Sequence, residues 1–133
     1  MGKINERQFK NVDNEVLSLE KSLENFILNY ASSLTKLELI RFFAENTFTC
    51  SRAEGIASYV GRKTAVIEKE LKSLSKSGLI DEIKNGELSA YCYTSDEETQ
   101  KKVEFFLENL NDRTTRLKII SKILKTEAER DVL

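Results

Sequence analysis

Between Phe9 and Tyr30 the apolar residues Phe9, Val12, Val16, Leu19, Leu23, Phe26 and Tyr30 recur in steps of three and four. That is the seam of one long amphipathic helix, packed either on its own domain or on a second subunit. A second helix is expected from Thr35, with Leu37, Ile40, Phe43 and Ala44 facing inward and Asn46-Thr47 ending it. Phe48-Thr49-Cys50 reads as a short β-prone stretch. A helix from Arg52 to Val60 then turns Ile56, Ala57 and Val60 inward, and Gly61 suits a tight turn after it. The next helix runs from about Lys63 to Ser77 on a stripe of Ile67, Leu71 and Leu74, closed by Gly78. Leu79–Ile83 and Leu88–Tyr93 have strand character. Asn85-Gly86 between them predicts a hairpin, because both residues tolerate the positive φ of a type I′ turn. Val103, Phe106, Leu107 and Leu110 make another helical face. The pattern resumes at Leu117, Ile120 and Leu124 beyond Asn111-Asp112, which favours two helices with a break there. Three helix starts carry capping-box spacing: Thr35 with Glu38, Ser51 with Glu54, and Ser95 with Glu98.

Composition narrows the chemistry. The 133 residues hold no proline, five glycines, two cysteines and no histidine. Lack of proline favours long helices. Lack of histidine removes a Ser-His-Asp triad, a histidine general base and histidine-containing zinc sites. Two cysteines cannot supply a four-thiolate zinc site. No glycine-rich phosphate loop and no defined carboxylate pair is present, so the chain is not expected to be an enzyme, and no cofactor or metal is expected. No apolar run reaches the roughly 20 residues of a membrane span. The polar start Met1-Gly2-Lys3-Ile4-Asn5-Glu6-Arg7 lacks the apolar core of a signal peptide, so a cytoplasmic protein with no membrane association is expected. The formal net charge of −1 gives no overall basic signature.

The order helix, short strand, helix, turn, helix, strand, turn, strand over residues 35–94 resembles the winged helix-turn-helix family of regulators. The resemblance is carried by Ile56-Ala57-Ser58-Tyr59-Val60-Gly61, then Ile67, Leu71, Leu74, then Gly78-Leu79-Ile80. Arg62 and Lys63 depart from the family, which usually has an apolar residue and a Ser or Thr cap there. The resemblance implies a mainly α fold with a small β-hairpin wing (α+β), flanked by N- and C-terminal dimerisation helices. It divides the chain into 1–34, 35–94 and 95–133.

In that family the second helix of the motif enters the major groove of DNA. Mapped onto this chain, its outward residues are Lys63, Thr64, Ala65, Glu68, Lys69 and Lys72, side chains able to reach base edges or phosphates. Residues 62–76 hold five cations against two glutamates, a net of +3. Arg62 is one of those five cations. Ser51 and Arg52, at the start of the preceding helix, offer a phosphate contact or plain capping. The wing is less suited to DNA. It carries Asp81, Glu82 and Glu87, with Lys84 and Asn85 at its tip.

Regulators of the MarR and ArsR types dimerise through helices outside the winged domain. The resemblance therefore assigns Val12, Val16, Leu19, Leu23, Phe26, Phe106, Leu110, Leu117, Ile120 and Leu124 to a homodimer interface, with packing inside one chain as the alternative. It also implies that the strands holding Cys50 and Cys92 lie side by side. Those thiols are then either a redox pair or two small buried residues. The expectation is a homodimeric transcriptional regulator that binds specific double-stranded DNA, open to an unidentified small-molecule effector. The alternative is a winged-helix adaptor that binds protein within a larger complex, which the near-neutral charge and acidic wing would suit.

Overall fold

The computed structural model describes residues 6–132, with side chains from 15 to 130. The elements follow in the order α1 (Glu6–Asn29), α2 (Leu34–Glu45), β1 (Ser51–Arg52), α3 (Ala53–Val60), α4 (Thr64–Ser77), β2 (Ile80–Asn85), β3 (Leu88–Tyr93), α5 (Glu97–Asn109) and α6 (Arg113–Val132). The sheet order is β1-β3-β2, antiparallel throughout. No helix of the described residues is long and apolar enough to cross a membrane.

One apolar cluster joins these elements. It includes Leu23, Phe26 and Ile27 of α1, Leu39, Ile40 and Phe43 of α2, Ile56 of α3, and Ile67, Leu71 and Leu74 of α4. Leu79, Ile80, Tyr91 and Tyr93 enter from the sheet, Val103, Phe106 and Leu110 from α5, and Ile119 and Ile123 from α6. Burying each of the larger aliphatic side chains stabilises the fold by about 1.5–3 kcal/mol. Phe26 and Phe106 stack with ring centroids 4.2 Å apart, tying α1 to α5.

Local chemistry sets the angle between α3 and α4. Ala57 is buried, so the two helices approach closely. Gly61 then sits at φ +74°, where its N–H and that of Arg62 both donate to the Ala57 carbonyl, at 2.9 and 3.0 Å. A side chain at that φ would be strained. At the far end of α4, Gly78 N–H donates to the Ser75 carbonyl and Leu79 N–H to the Leu74 carbonyl, the paired bonds of a Schellman ending. The chain therefore leaves α4 directly into β2.

Several local expectations are corrected. The cap of α2 is Ser33, whose Oγ accepts from Lys36 N–H at 3.1 Å; Thr35 is buried and Glu38 pairs elsewhere. Ser51 lies in β1 and Arg52 is the first flanking residue of α3, without a side-chain cap. Asp96 rather than Ser95 caps α5, accepting from Thr99 N–H at 3.0 Å. At α2 and α5 a neighbouring polar residue makes the capping bond instead. The short strand falls on Ser51–Arg52 rather than on Phe48–Cys50, and Phe48 is fully exposed. The hairpin turn is Gly86-Glu87, because Asn85 is still paired with Leu88. Of the two turn residues only Gly86 has positive φ, +66°, and it holds the first turn position, as in a type II′ turn. The chain does break between α5 and α6, where Asp112 Oδ2 accepts from Thr115 N–H at 2.9 Å.

Candidate nucleic-acid interface

Helix α4 presents two chemically different sides. Ile67, Glu70, Leu71 and Leu74 face the core, at the i, i+3, i+4, i+7 spacing of one helical stripe. Ala65, Glu68, Lys69 and Lys72 are exposed, Thr64 is half-buried, and Lys63 is exposed at the cap position. Lys63 and Lys69 have no ion-pair partner among the described residues, whereas Lys72 Nζ lies 3.9 Å from Glu82 on the wing.

Glu70 does not belong to the outward surface. Its carboxylate, 9% exposed, lies 3.7 Å from Lys36 of α2 and 3.5 Å from Arg130 of α6. Lys36 Nζ also donates to Ser32 Oγ at 3.0 Å. Burial pulls the Lys36 ammonium below the usual lysine range, with Glu70 opposing the shift. A buried carboxylate needs such partners, because an uncompensated charge there would be strongly destabilising. Glu70 therefore does not offset the lysines on the outward face of α4.

Arg62 is engaged in an exposed bidentate contact. Its Nε and NH2 donate to the two oxygens of Glu38 at 2.9 and 2.8 Å. This bonding lowers the Glu38 carboxyl and raises the Arg62 guanidinium from their usual ranges. Arg52 is exposed, 3.7 Å from Glu54. Ser51 is half-buried opposite Tyr91, so it does not stand at the helix start.

The wing tip exposes Lys84 and Asn85. Below it, a groove of about 270 Å³ runs between α3, α4 and the hairpin, lined by Arg52, Glu54, Glu68, Lys72, Glu87 and Tyr91 among others. Glu82 accepts from Ser89 Oγ at 2.7 Å, which holds its carboxyl below the usual range. Burial pushes the Tyr91 phenol up, and the Tyr93 phenol up to about 12.

The residues assigned to a subunit interface separate into two groups. Leu23, Phe26, Phe106 and Leu110 are buried in the chain's own core, so in this conformation they have no surface to give to a partner. Leu19 is partly buried against that core. Val16, Leu117 and Leu124 are exposed and Ile120 is half-buried. The side chain of Val12 lies outside the described residues. On α6 the stripe that enters the core is Ile119 and Ile123, which leaves Leu117, Ile120 and Leu124 as an adjacent outer stripe.

The cysteines are joined, not free: Cys50 and Cys92 form a disulfide with Cα atoms 4.4 Å apart. Cys50 is exposed and Cys92 half-buried, so they are not two small buried residues. Their proximity follows from register: Ser51 faces Tyr91 and Arg52 faces Ala90, which sets Cys50 opposite Cys92. Sequence reasoning missed the Glu38–Arg62 pair and the Glu70 cluster. The pair spans 24 residues and leaves no local signal. Glu70 was detectable, because it falls on the buried stripe.

Three helices, a tight αL turn, an exposed basic second helix and a hairpin wing, flanked by further helices, define a winged helix-turn-helix fold. Two solved structures share this fold along nearly the whole chain. The heme sensor protein PefR, solved with heme and carbon monoxide, aligns at TM-score 0.50 and 15% identity, over 92% of this chain and 93% of its own. A point mutant of MepR from a multidrug-resistant S. aureus clinical isolate aligns at TM-score 0.50 and 16% identity, over 98% of this chain and 91% of its own. No protein-family model matches the sequence, and no curated protein matches it.

Proposed function

We propose that the chain is a transcriptional regulator that binds specific double-stranded DNA as a homodimer. The observation that carries this reading is the outward face of α4, where Lys63, Thr64, Ala65, Glu68, Lys69 and Lys72 stand clear of the core at the end nearest the Gly61 turn. A helix so presented fits the major groove, where lysine reaches guanine or phosphate and glutamate reaches cytosine N4. Lys84 and Asn85 give the wing a modest backbone contact, and Arg52 offers another. The outer stripe of Leu117, Ile120 and Leu124, with Val16 on α1, supplies apolar surface for a second copy. A two-fold dimer would set two α4 helices about one DNA turn apart.

An effector site fits the cavity of about 320 Å³ between α1 and α5, lined by Leu23, Phe26, Phe105, Phe106 and Lys102 among others. A histidine-ligated heme does not suit this chain, which has no histidine.

The test is selection of bound sequences from a random duplex pool, followed by titration of the enriched site at several salt concentrations. The expected result is a palindromic site whose affinity falls steeply with salt. Absence of salt-sensitive duplex binding at micromolar protein refutes the reading. A second reading, a protein-binding adaptor, is favoured by the three glutamates of the wing groove, Glu54, Glu68 and Glu87. Charge reversal at Lys69 and Lys72 separates the two: it abolishes DNA binding and leaves an adaptor's stoichiometric partner bound.

A further inference from the structure

The Cys50–Cys92 disulfide joins the entry of the helix-turn-helix to the middle strand of the wing sheet. Strand β1 is only two residues long and runs without a linker into α3. Its pairing with β3 consists of Ser51 opposite Tyr91 and Arg52 opposite Ala90. On the other side, Thr47, Phe48, Thr49 and Cys50 are all exposed, so no packing holds this segment in place. Beside the two ladder pairs and the buried Ala53 that follows, the disulfide is the covalent constraint that keeps β1 on the sheet. Through β1 it fixes the wing relative to α3 and to the reading face of α4.

We propose that this disulfide is a reversible thiol switch that sets DNA affinity, the oxidised form binding more tightly. The inference rests on the DNA-binding reading above. A protein working on DNA meets a thiol-reducing environment, where disulfides are more often transient and redox-sensing than structural. Cys50 is the exposed partner and so the one more open to attack, while Cys92 is half-buried. The thiolate of a dithiol reductant attacks Cys50 Sγ and the Sγ–Sγ bond breaks. Cys92 leaves as a thiolate and takes up a proton. The reductant's second thiol then displaces Cys50 and departs as a cyclic disulfide. The protein has gained two electrons and two protons, and a low-molecular-weight disulfide reverses the exchange. Once reduced, the two-residue strand frays, carrying Arg52 and the wing away from a fixed geometry. Re-ordering about one residue's worth of that backbone on DNA then lowers affinity by about tenfold.

The test uses the full chain in oxidised and reduced forms, with Cys50→Ser and Cys92→Ser, on the selected duplex. Reduced protein and both variants are expected to bind about tenfold more weakly than oxidised protein, with the variants indifferent to reductant. Hydrogen exchange is expected to rise on reduction at residues 50–52 and 88–93 while α2 and α5 stay protected. Equal affinity of the oxidised and reduced forms overturns the switch. So does a disulfide that survives a glutathione buffer of cytosolic ratio, which marks a structural staple. If neither form binds DNA, the functional reading fails by itself. Exchange at residues 50–52 and 88–93 then judges the brace separately, and unchanged protection on reduction overturns it.

Discussion

Replacing Glu38 by Gln isolates the role of the bidentate contact to Arg62. The two side chains are 42% and 38% exposed, so water and salt screen the pair. Exposed ion pairs are worth about 0.2–1 kcal/mol, and bidentate geometry argues for the middle of that range, roughly 0.5 kcal/mol. The variant should therefore melt only about 2 °C below the parent. Its effect on DNA should be larger. The parent must break the pair before Arg62 can reach a phosphate, and roughly 0.5 kcal/mol corresponds to about a twofold loss of affinity. Removing the carboxylate also removes a repulsive charge beside the duplex. Fluorescence anisotropy across a salt series measures both parts. Affinity at low salt is expected to rise at least about twofold, and the slope of log affinity against log salt to steepen by about 0.9 if Arg62 becomes a new phosphate contact. The additional change Arg62→Ala should cancel the gain. If Glu38→Gln binds DNA no better than the parent, Arg62 does not face the duplex and the reasoning fails.

Reduction of the disulfide should cost stability as well as affinity. Cys50 and Cys92 are 42 residues apart, and chain-entropy reasoning for a loop of that size gives about 4 kcal/mol. Thermal melts with and without a phosphine reductant should then differ by on the order of 10 °C, and coincident melts would contradict it. Phe106→Ala removes the ring stacked on Phe26 and should lower stability by about 3–5 kcal/mol in urea titrations. Its failure to move the midpoint would mean that α1 is not anchored there. Asp112 accepts from Thr115 Oγ1 and N–H, bonds that hold its carboxyl below the usual range. A lowered folded pKa stabilises above the ordinary carboxylate range and loses that effect as pH falls through the lowered value. The melting-temperature deficit of Asp112→Ala should thus be full above about pH 5 and vanish toward strong acid. A deficit independent of pH would assign Asp112 no charged capping role.

Much of the fold is legible because hydrophobic spacing decides it. The stripe Ile67, Leu71 and Leu74, the αL turn at Gly61 and the break at Asn111-Asp112 are all local signals. The caps are less legible, because Ser33 and Asp96 compete with nearby residues of similar chemistry, and a shift of one or two positions is settled by tertiary packing. The faces of α6 illustrate a different limit. Leu117, Ile120 and Leu124 form as good a stripe as Ile119 and Ile123, and the packing of α6 on α1 and α2 decides which is buried. For the candidate interface, the exposed residues of α4 were readable from periodicity. The state of Arg62 was not, because its partner lies on another helix.

The sheet order β1-β3-β2 leaves β2 as an open edge six residues long. An unpaired strand edge is a template on which a second chain can add a strand, the first step toward aggregation. Asp81, Glu82 and Lys84 stand along this edge, and Ile83 is its only exposed large apolar residue. The same acidic residues that make the wing a poor phosphate clamp therefore act as gatekeepers against intermolecular strand addition. Replacing them with lysines to strengthen DNA contact would keep that protection. Replacing them with β-branched apolar residues would remove it and turn the wing into a nucleus for fibrous assembly.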